Sequence, residues 1–428
     1  MNARWNGLYA LAILALIALL NTADQAVLLV NLPAIQVDFR LSDTQVGLVS
    51  AAFVAVYALA VLPAGYLGDR TRRRAVVAAG VAVWSLATLL TGLTRSLPQL
   101  LLARAALGIG ESTALPSGLS LLGDHFPRQS RGRAASVIGA ALQVGTGVGA
   151  IAGGLLAARY GWRTAFYLAA APGLLLAGLA LTIRELPRGA AEPKPRPAEA
   201  PVLSGAAAFL RVIRIPSFTL AAGANAAVLL AVTGVAGFAG LYVSRRFGIG
   251  AAGLGLVLGP PLLISGLAGN SLGGWLVDRR SRCSAAAPLE VAVAGCLGGM
   301  AGMVAMFNTT SATGFAIAFT LAATAAQVAT PGLLAINQNV VPPSIRSSAS
   351  ALQQLLANLV GRTAGLVMIG SIADHLHDLR LAFLLVAPTG FAVAAGLAAA
   401  GLVRTAHDTA AMEAEWGEAP TAVIWART

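Results

Sequence analysis

The chain has 428 residues, of which 57% are hydrophobic and only 11% charged, with a mean hydropathy of +0.77. So little polar surface excludes a string of soluble domains, and Cys283 and Cys296 are too few for a disulfide framework or a metal site. A net charge of +12 invites a nucleic-acid reading, which the placement of the charges argues against.

Twelve apolar stretches, each long enough to cross a bilayer at about 20 residues, follow one another along the chain. They run over Leu8–Leu32, Val46–Leu67, Ala75–Leu93, Leu97–Leu122, Ala134–Ala157, Thr164–Ile183, Phe218–Val243, Ala251–Val277, Pro288–Phe307, Thr313–Val340, Ala349–Ile372 and Leu381–Val403. The alternation of a barrel strand is missing from them, so the sequence predicts an all-α membrane protein of twelve transmembrane helices. Arg4 followed by Leu8–Leu20 resembles a secretory signal, but Val27–Leu32 extends the same apolar run, and the first helix is expected to stay.

With the N-terminus inside, 19 basic residues fall on the inner side and 7 on the outer. Positive residues stay inside, which places both termini in the cytoplasm and the chain as a multi-pass protein of the plasma membrane, the inner membrane in a bacterium. The hydrophilic stretch 184–214 contains Glu192-Pro-Lys-Pro-Arg-Pro-Ala-Glu199, a composition that reads as an extended tether. It divides the chain into six-helix units at 1–183 and 215–404, with a cytoplasmic tail at 405–428 carrying Glu413, Glu415 and Glu418.

The two units repeat a motif. Gly65-Tyr-Leu-Gly-Asp69-Arg70-Thr-Arg72-Arg73 and Gly274-Trp-Leu-Val-Asp278-Arg279-Arg280-Ser-Arg282 both read G-x-L-x-D-R-x-x-R, offset by 209 residues. Such parallel repeats are a transporter architecture. Glycine allows close helix approach, and an aspartate ending one helix can face the positive N-terminus of another. Gly65, Asp69, Arg70, Arg73, Asp278, Arg279 and Arg282 are therefore the expected cytoplasmic gate.

Ionisable residues inside apolar helices mark pathways. Four stand out: Asp24 in the first helix, Arg104 and Glu111 in the fourth, and Arg362 in the eleventh. Measured from the helix ends, Asp24 lies outward of centre, Arg104 in the outer third, and Glu111 and Arg362 near the middle. Gln354, Asn358 and Arg362 fall at i, i+4 and i+8, one polar stripe of an α-helix. Asn21, Gln25, Gln143, Asn225, Asn358 and Arg362 are the candidate substrate contacts. Gly145-x-Gly-x-Gly149, continuing to Gly153-Gly154, lies in an apolar helix with no strand before it, which points to helix packing and not to a dinucleotide. Asp374-His-Leu-His-Asp378 ends a helix and reads as solvated rather than metal-binding. The sequence contains no Walker motif or nucleophile elbow, so neither a primary ATP-driven pump nor an enzyme is expected.

Over its whole length the chain resembles a major facilitator superfamily transporter. Its first half is more specifically similar to the spinster-like branch of sphingolipid and lysophospholipid transporters. Asn21-Thr-Ala-Asp24, Gly65-Tyr-Leu-Gly-Asp-Arg70, Arg104-x3-Gly108-x-Gly110-Glu111 and Ile183-Arg-Glu-Leu-Pro-Arg-Gly189 carry that similarity. The resemblance implies two pseudo-symmetric six-helix bundles, Asp24 and Glu111 as proton-coupling carboxylates, and Arg104 as their charge partner. It also implies a proton gradient in place of any cofactor.

Two departures stand out. Gln25 occupies the place of an arginine usual in that branch, and Arg362 follows Gly361 where an acid is usual. Arg362 is expected to supply the missing positive charge and to pair with Asp24 or Glu111. Ala150 stands where the superfamily's antiporter motif has proline. The expected function is a monomeric, proton-coupled secondary transporter in the lipid bilayer, moving a small amphiphile of lysolipid or sphingoid type by alternating access. Alternatives are a proton-linked multidrug exporter or organic-anion transporter and, from another class, a membrane receptor or sensor. Nucleic acid is not an expected partner.

Overall fold

In the computed structural model the apolar runs extend, through their polar flanks, into rods longer than the bilayer alone requires. The structure describes residues 3–126, 128–187, 206–284, 286–341 and 345–416. The tether Glu192–Glu199 and Glu418 lie outside them, as do the side chains of Asp69, Arg131, Glu413 and Glu415. The first half comprises α1 (Ala3–Phe39), α2 (Asp43–Arg70), α3 (Arg73–Leu93), α4 (Leu97–His125), α5 (Arg128–Tyr160) and α6 (Trp162–Leu181). A short α7 (Ala206–Ile213) precedes α8 (Pro216–Phe247), α9 (Ala251–Arg280), α10 (Ala287–Phe307) and α11 (Ala312–Val340). The next rod is composite: α12 (Arg346–Leu356), π-helical turns over Ala357–Thr363, then α13 (Ala364–Leu376). The last is α14 (Leu379–Trp416).

Local chemistry sets the breaks. Ser42 and Gln45 form a reciprocal capping box at the start of α2, Pro216 opens α8, and Gly248 ends α8 with φ of 66°. Counting α12 through α13 as one rod, eleven helices among the described residues are long and apolar enough to cross a membrane. The remaining long helix, α4, has its apolar run interrupted by Arg104 and Glu111.

Two differences from the sequence reading have packing causes. The tail expected from 405 begins as helix, because α14 continues to Trp416. Thr405 and Met412 are buried there, and the Asp408 carboxylate accepts the Ser217 backbone N–H at 2.9 Å, capping the start of α8. The stretch expected to be wholly tether contains α7, anchored by the buried Val212.

In the first half α1 packs on α5, α2 on α4, and α3 on α4 and α6; in the second, α10 packs on α11 and α14, α9 on α11, and α8 on α14. The halves meet through α5 with α9, α2 with α13, and α1 with α8. One face of the molecule gathers the start of α1 with the ends of α2, α4 and α6, and carries Arg70, Arg72, Arg73 and Arg74; we call it the basic face.

The glycine stretch of α5 divides between two partners. A Cβ on Gly145, Gly149 or Gly153 would strike the backbone of α1 at Leu19, Ala23 or Val27, and one on Gly154 would strike Ala251 of α9. These are close backbone approaches of the small-residue kind. Glycine contacts that bridge the halves run from the middle of α5 and α9, where Gly266 meets the Gln143 side chain, out to Gly370 against Asp43 on the face away from the basic one. On the basic side, Gly65, Gly132, Gly139 and Gly274 face open space. The cleft between the halves thus opens toward the basic face.

Candidate functional site

Asp24, Arg104 and Glu111 are brought together by α1 and α4, and all three are at most 2% exposed. The Asp24 Oδ2 accepts a 3.1 Å hydrogen bond from the Thr88 hydroxyl on α3, while its Oδ1 has no partner. The Glu111 Oε2 accepts a 2.8 Å hydrogen bond from the Gln25 amide, and the Asn21 side chain also bonds to this carboxylate. Arg104 lies close enough to both carboxylates for their charges to act on it. It forms no ion pair with either; its Nε is unpartnered and its guanidinium sits 5.3 Å from the Phe53 ring centre. Gly108 makes this possible, because its missing side chain lets α4 close on Phe53 and Tyr57 of α2.

Two cavities meet at this cluster. The central one, about 260 Å³, is lined by Gln25, Ser50, Phe53, Arg104 and Arg362 with an otherwise mostly apolar wall. The other lies toward the basic face and is lined by Asn21, Tyr57 and Glu111 among the aliphatic side chains of α1, α4 and α5. The Gln25–Glu111 hydrogen bond joins them. Among the described residues no carboxylate lines the central cavity, whereas Arg104 and Arg362 do.

Arg362 lies in the π-helical turns and is exposed to the central cavity. In this state it forms no ion pair with Asp24 or Glu111, and the charges of both Arg362 and Glu111 act on Tyr57 of α2. The π turns also break the expected i, i+4, i+8 stripe. The Thr363 hydroxyl bonds back five residues to the Asn358 carbonyl at 2.9 Å, and the Asn358 amide donates to the Gln354 carbonyl at 2.9 Å. Asn358 is therefore occupied in its own helix, while Arg362 is turned to the cleft; π turns recur at functional positions.

The remaining candidates separate. Asn225 is buried in α8 and absent from the cavity lining, and Gln143 sits at the α5–α9 crossing against Gly266.

Among the described side chains, none of the expected gate residues bridges the halves. Arg73 is buried in its own half, with a 2.5 Å ion pair to Asp124 and hydrogen bonds to the Ser120 hydroxyl and the Leu186 carbonyl. Its backbone N–H donates to Glu185 at 2.7 Å. Arg70 lies over the Tyr66 ring and Arg279 over the Trp275 ring. Asp278 and Arg282 are exposed, with no hydrogen bond or ion pair to any described residue. Glu185 lay within the quoted stretch Ile183–Gly189 but had been given no role.

The sequence reading also missed the contacts that close the opposite face. There Arg245 of α8 donates to both Asp43 carboxylate oxygens at 2.6 and 2.9 Å and to Gln36 at 3.0 Å. Asp374 of α13 accepts the backbone N–H groups of Asp43 and Thr44, each at 2.8 Å, so a carboxylate of one half caps a helix of the other. Asp378 caps α14 through Arg380 and Leu381.

Two six-helix halves around a charged central cavity define a solute carrier of the alternating-access kind. A family model described as Major Facilitator Superfamily matches residues 14–366, and the chain belongs to that superfamily: it is a secondary transporter and not an enzyme. It is related to the spinster homologues, being 30% identical to Protein spinster homolog 1 of Homo sapiens over 395 residues, 86% of this chain and 73% of that protein. It is also 29% identical over 371 residues to an MFS-type efflux pump of Mycolicibacterium smegmatis, covering 86% of this chain and 85% of the pump. A solved bacterial homologue of the human lysosomal transporter spinster, inward-facing and unoccupied, superposes with a TM-score of 0.80 at 24% identity, covering 96% of this chain and 98% of that one. At that identity the likeness is one of fold.

Proposed function

We propose that the chain couples proton movement to the transport of an amphiphile, with its basic face in the cytoplasm of a plasma membrane. The observation that carries this reading is the pair of buried carboxylates, Asp24 and Glu111, lying beside Arg104 without an ion pair to it, with one Asp24 oxygen lacking a partner among the described residues. A fixed structural ion pair satisfies its atoms, and buried polar atoms left bare call for a functional explanation. Burial favours the protonated form of a carboxyl, and a neighbouring guanidinium favours the charged form. A site that alternates between dry and wet can therefore take up and release a proton. One charge crossing 100 mV supplies about 2.3 kcal/mol, enough for a gradient of about fifty-fold.

Substrate class follows from the cavity. Arg104 and Arg362 suit a phosphate or carboxylate headgroup, and the aliphatic wall toward the basic face suits an acyl or sphingoid chain. A lysolipid combines both. The cleft would close on the basic side through Asp69, Arg73, Asp278 and Arg282, with Arg73 leaving Asp124. The functional units are 1–183 and 215–404, joined by 184–214, acting as a monomer. A second reading, proton-linked multidrug export, is favoured by the kinship with the mycobacterial MFS-type efflux pump.

Uptake into proteoliposomes under an imposed pH gradient tests the proposal, comparing lysolipids, organic anions and a cationic drug. Lysolipid uptake is expected to rise with the gradient and to be lost in Asp24→Asn and Glu111→Gln. Gradient-driven movement of the cationic drug alone would favour the second reading.

A further inference from the structure

Beyond the transport site, the basic face carries a second built pocket. It is about 500 Å³ in volume and is lined by Arg72, Arg74, Arg184, Glu185, Leu186 and Pro187. Its walls are fixed. The segment after α6 folds back onto the start of α3, held by Arg73 through Glu185 and the Leu186 carbonyl. Arg74 donates to the Leu181 and Ile183 carbonyls at the end of α6.

The charge in the pocket is unbalanced. Glu185, the lone acid of the lining, is already held by Arg73 and, at 4.0 Å, by Arg74. Arg72 and Arg184 are exposed and have no hydrogen bond or ion pair to any described residue. Two guanidinium groups without a partner among the described residues thus share the pocket lining with a third, a set of donors that suits phosphate oxygens.

Its position points to the source of that phosphate. The pocket sits just past the end of α6, a helix on which Leu174, Leu175, Leu179 and Leu181 are exposed as lipid-facing side chains are. Beside it the Tyr9 hydroxyl meets the Thr182 hydroxyl at 2.7 Å, an aromatic placed as tyrosines are at the headgroup level. A phosphate held by the arginines would leave its acyl chains beside the apolar surface of α6. We infer that this pocket binds the headgroup of an anionic phospholipid of the surrounding leaflet, separately from the transported molecule. Basic pockets on this side of membrane proteins take such headgroups. Because Arg73 is part of the pocket's frame, a bound lipid would stiffen the α2–α3 junction that carries the proposed gate.

The test is binding of fluorescent phosphatidylglycerol to the purified full-length protein in detergent, with phosphatidylcholine of the same chains and inorganic phosphate as comparison probes. Phosphatidylglycerol is expected to bind about ten-fold or more tightly than phosphatidylcholine. The double variant Arg72→Ala/Arg184→Ala should lose about five-fold per arginine without changing phosphatidylcholine binding. Arg133→Ala/Arg404→Ala, which removes two exposed arginines elsewhere on the same face, should leave the affinity within about two-fold. Unchanged phosphatidylglycerol affinity in the first double variant overturns the site. An equal loss in the second reduces it to general surface charge, and displacement by inorganic phosphate at the lipid's own concentration makes it a free-anion site.

Discussion

Glu111 borders the cavity on the basic side while its other oxygen is bonded to Gln25, a residue of the central cavity. A change at either cavity therefore reaches the same carboxylate. Neutralising it in Glu111→Gln, or neutralising Asp24 in Asp24→Asn, should lower gradient-driven uptake at least ten-fold while substrate exchange without a gradient persists. Paired uptake and exchange assays in proteoliposomes separate the two effects. Arg362→Ala should raise KM for an anionic amphiphile by ten-fold or more with a smaller change in kcat, since hydrogen bonds to charged groups contribute about 1.5–3 kcal/mol. Concentration series on the wild type and Arg362→Ala read that split. The four charged positions were legible because ionisable residues are rare in apolar helices. Thr88 and Tyr57 were not, since a hydroxyl in a membrane helix is common and its partner depends on how three separate helices come together.

At the scale of elements, the helices were legible from apolar runs and the small-residue stretch of α5 from its spacing. Two features had no sequence signature of that kind. The π turns around Arg362 depend on the approach of Gly361 to α8, where a Cβ would lie 2.6 Å from the Ala226 carbonyl oxygen. The extension of α14 to Trp416 depends on Asp408 capping α8. The packing makes a direct prediction: Gly149→Val places a side chain on the backbone of Ala23, next to Asp24. Overpacking of this kind destabilises by about 1–3 kcal/mol. Thermal unfolding of the purified protein should show a lowered Tm, with the α1–α5 pair separated and proton coupling weakened.

At the scale of the whole molecule, the latch on the face opposite the basic one holds the present state. Asp374 ends a helix in a stretch that reads as solvated, and Asp43 and Arg245 stand in no motif, so nothing along the chain signals that they meet. Arg245 is about half exposed, and exposed ion pairs contribute about 0–1 kcal/mol. The Asp374 carboxylate, by contrast, holds two backbone N–H groups of the other half. Asp374→Ala should therefore shift the population toward the state open on that face by about ten-fold or more. Labelling of a cysteine placed at Ser50, which lines the central cavity, by an impermeant maleimide applied to that face should accelerate in proportion. An unchanged labelling rate would assign Asp374 a merely local capping role.

The central claim is that proton movement through Asp24 and Glu111 drives the transport of an amphiphile. It is tested most directly by recording, in the same proteoliposomes, lysolipid uptake and internal pH when substrate is added without a preset gradient. The account predicts a substrate-dependent pH change that disappears in Asp24→Asn/Glu111→Gln while the protein still exchanges substrate. Lysolipid transport by the wild type with no accompanying pH change, or an undiminished pH change in the double variant, would contradict it.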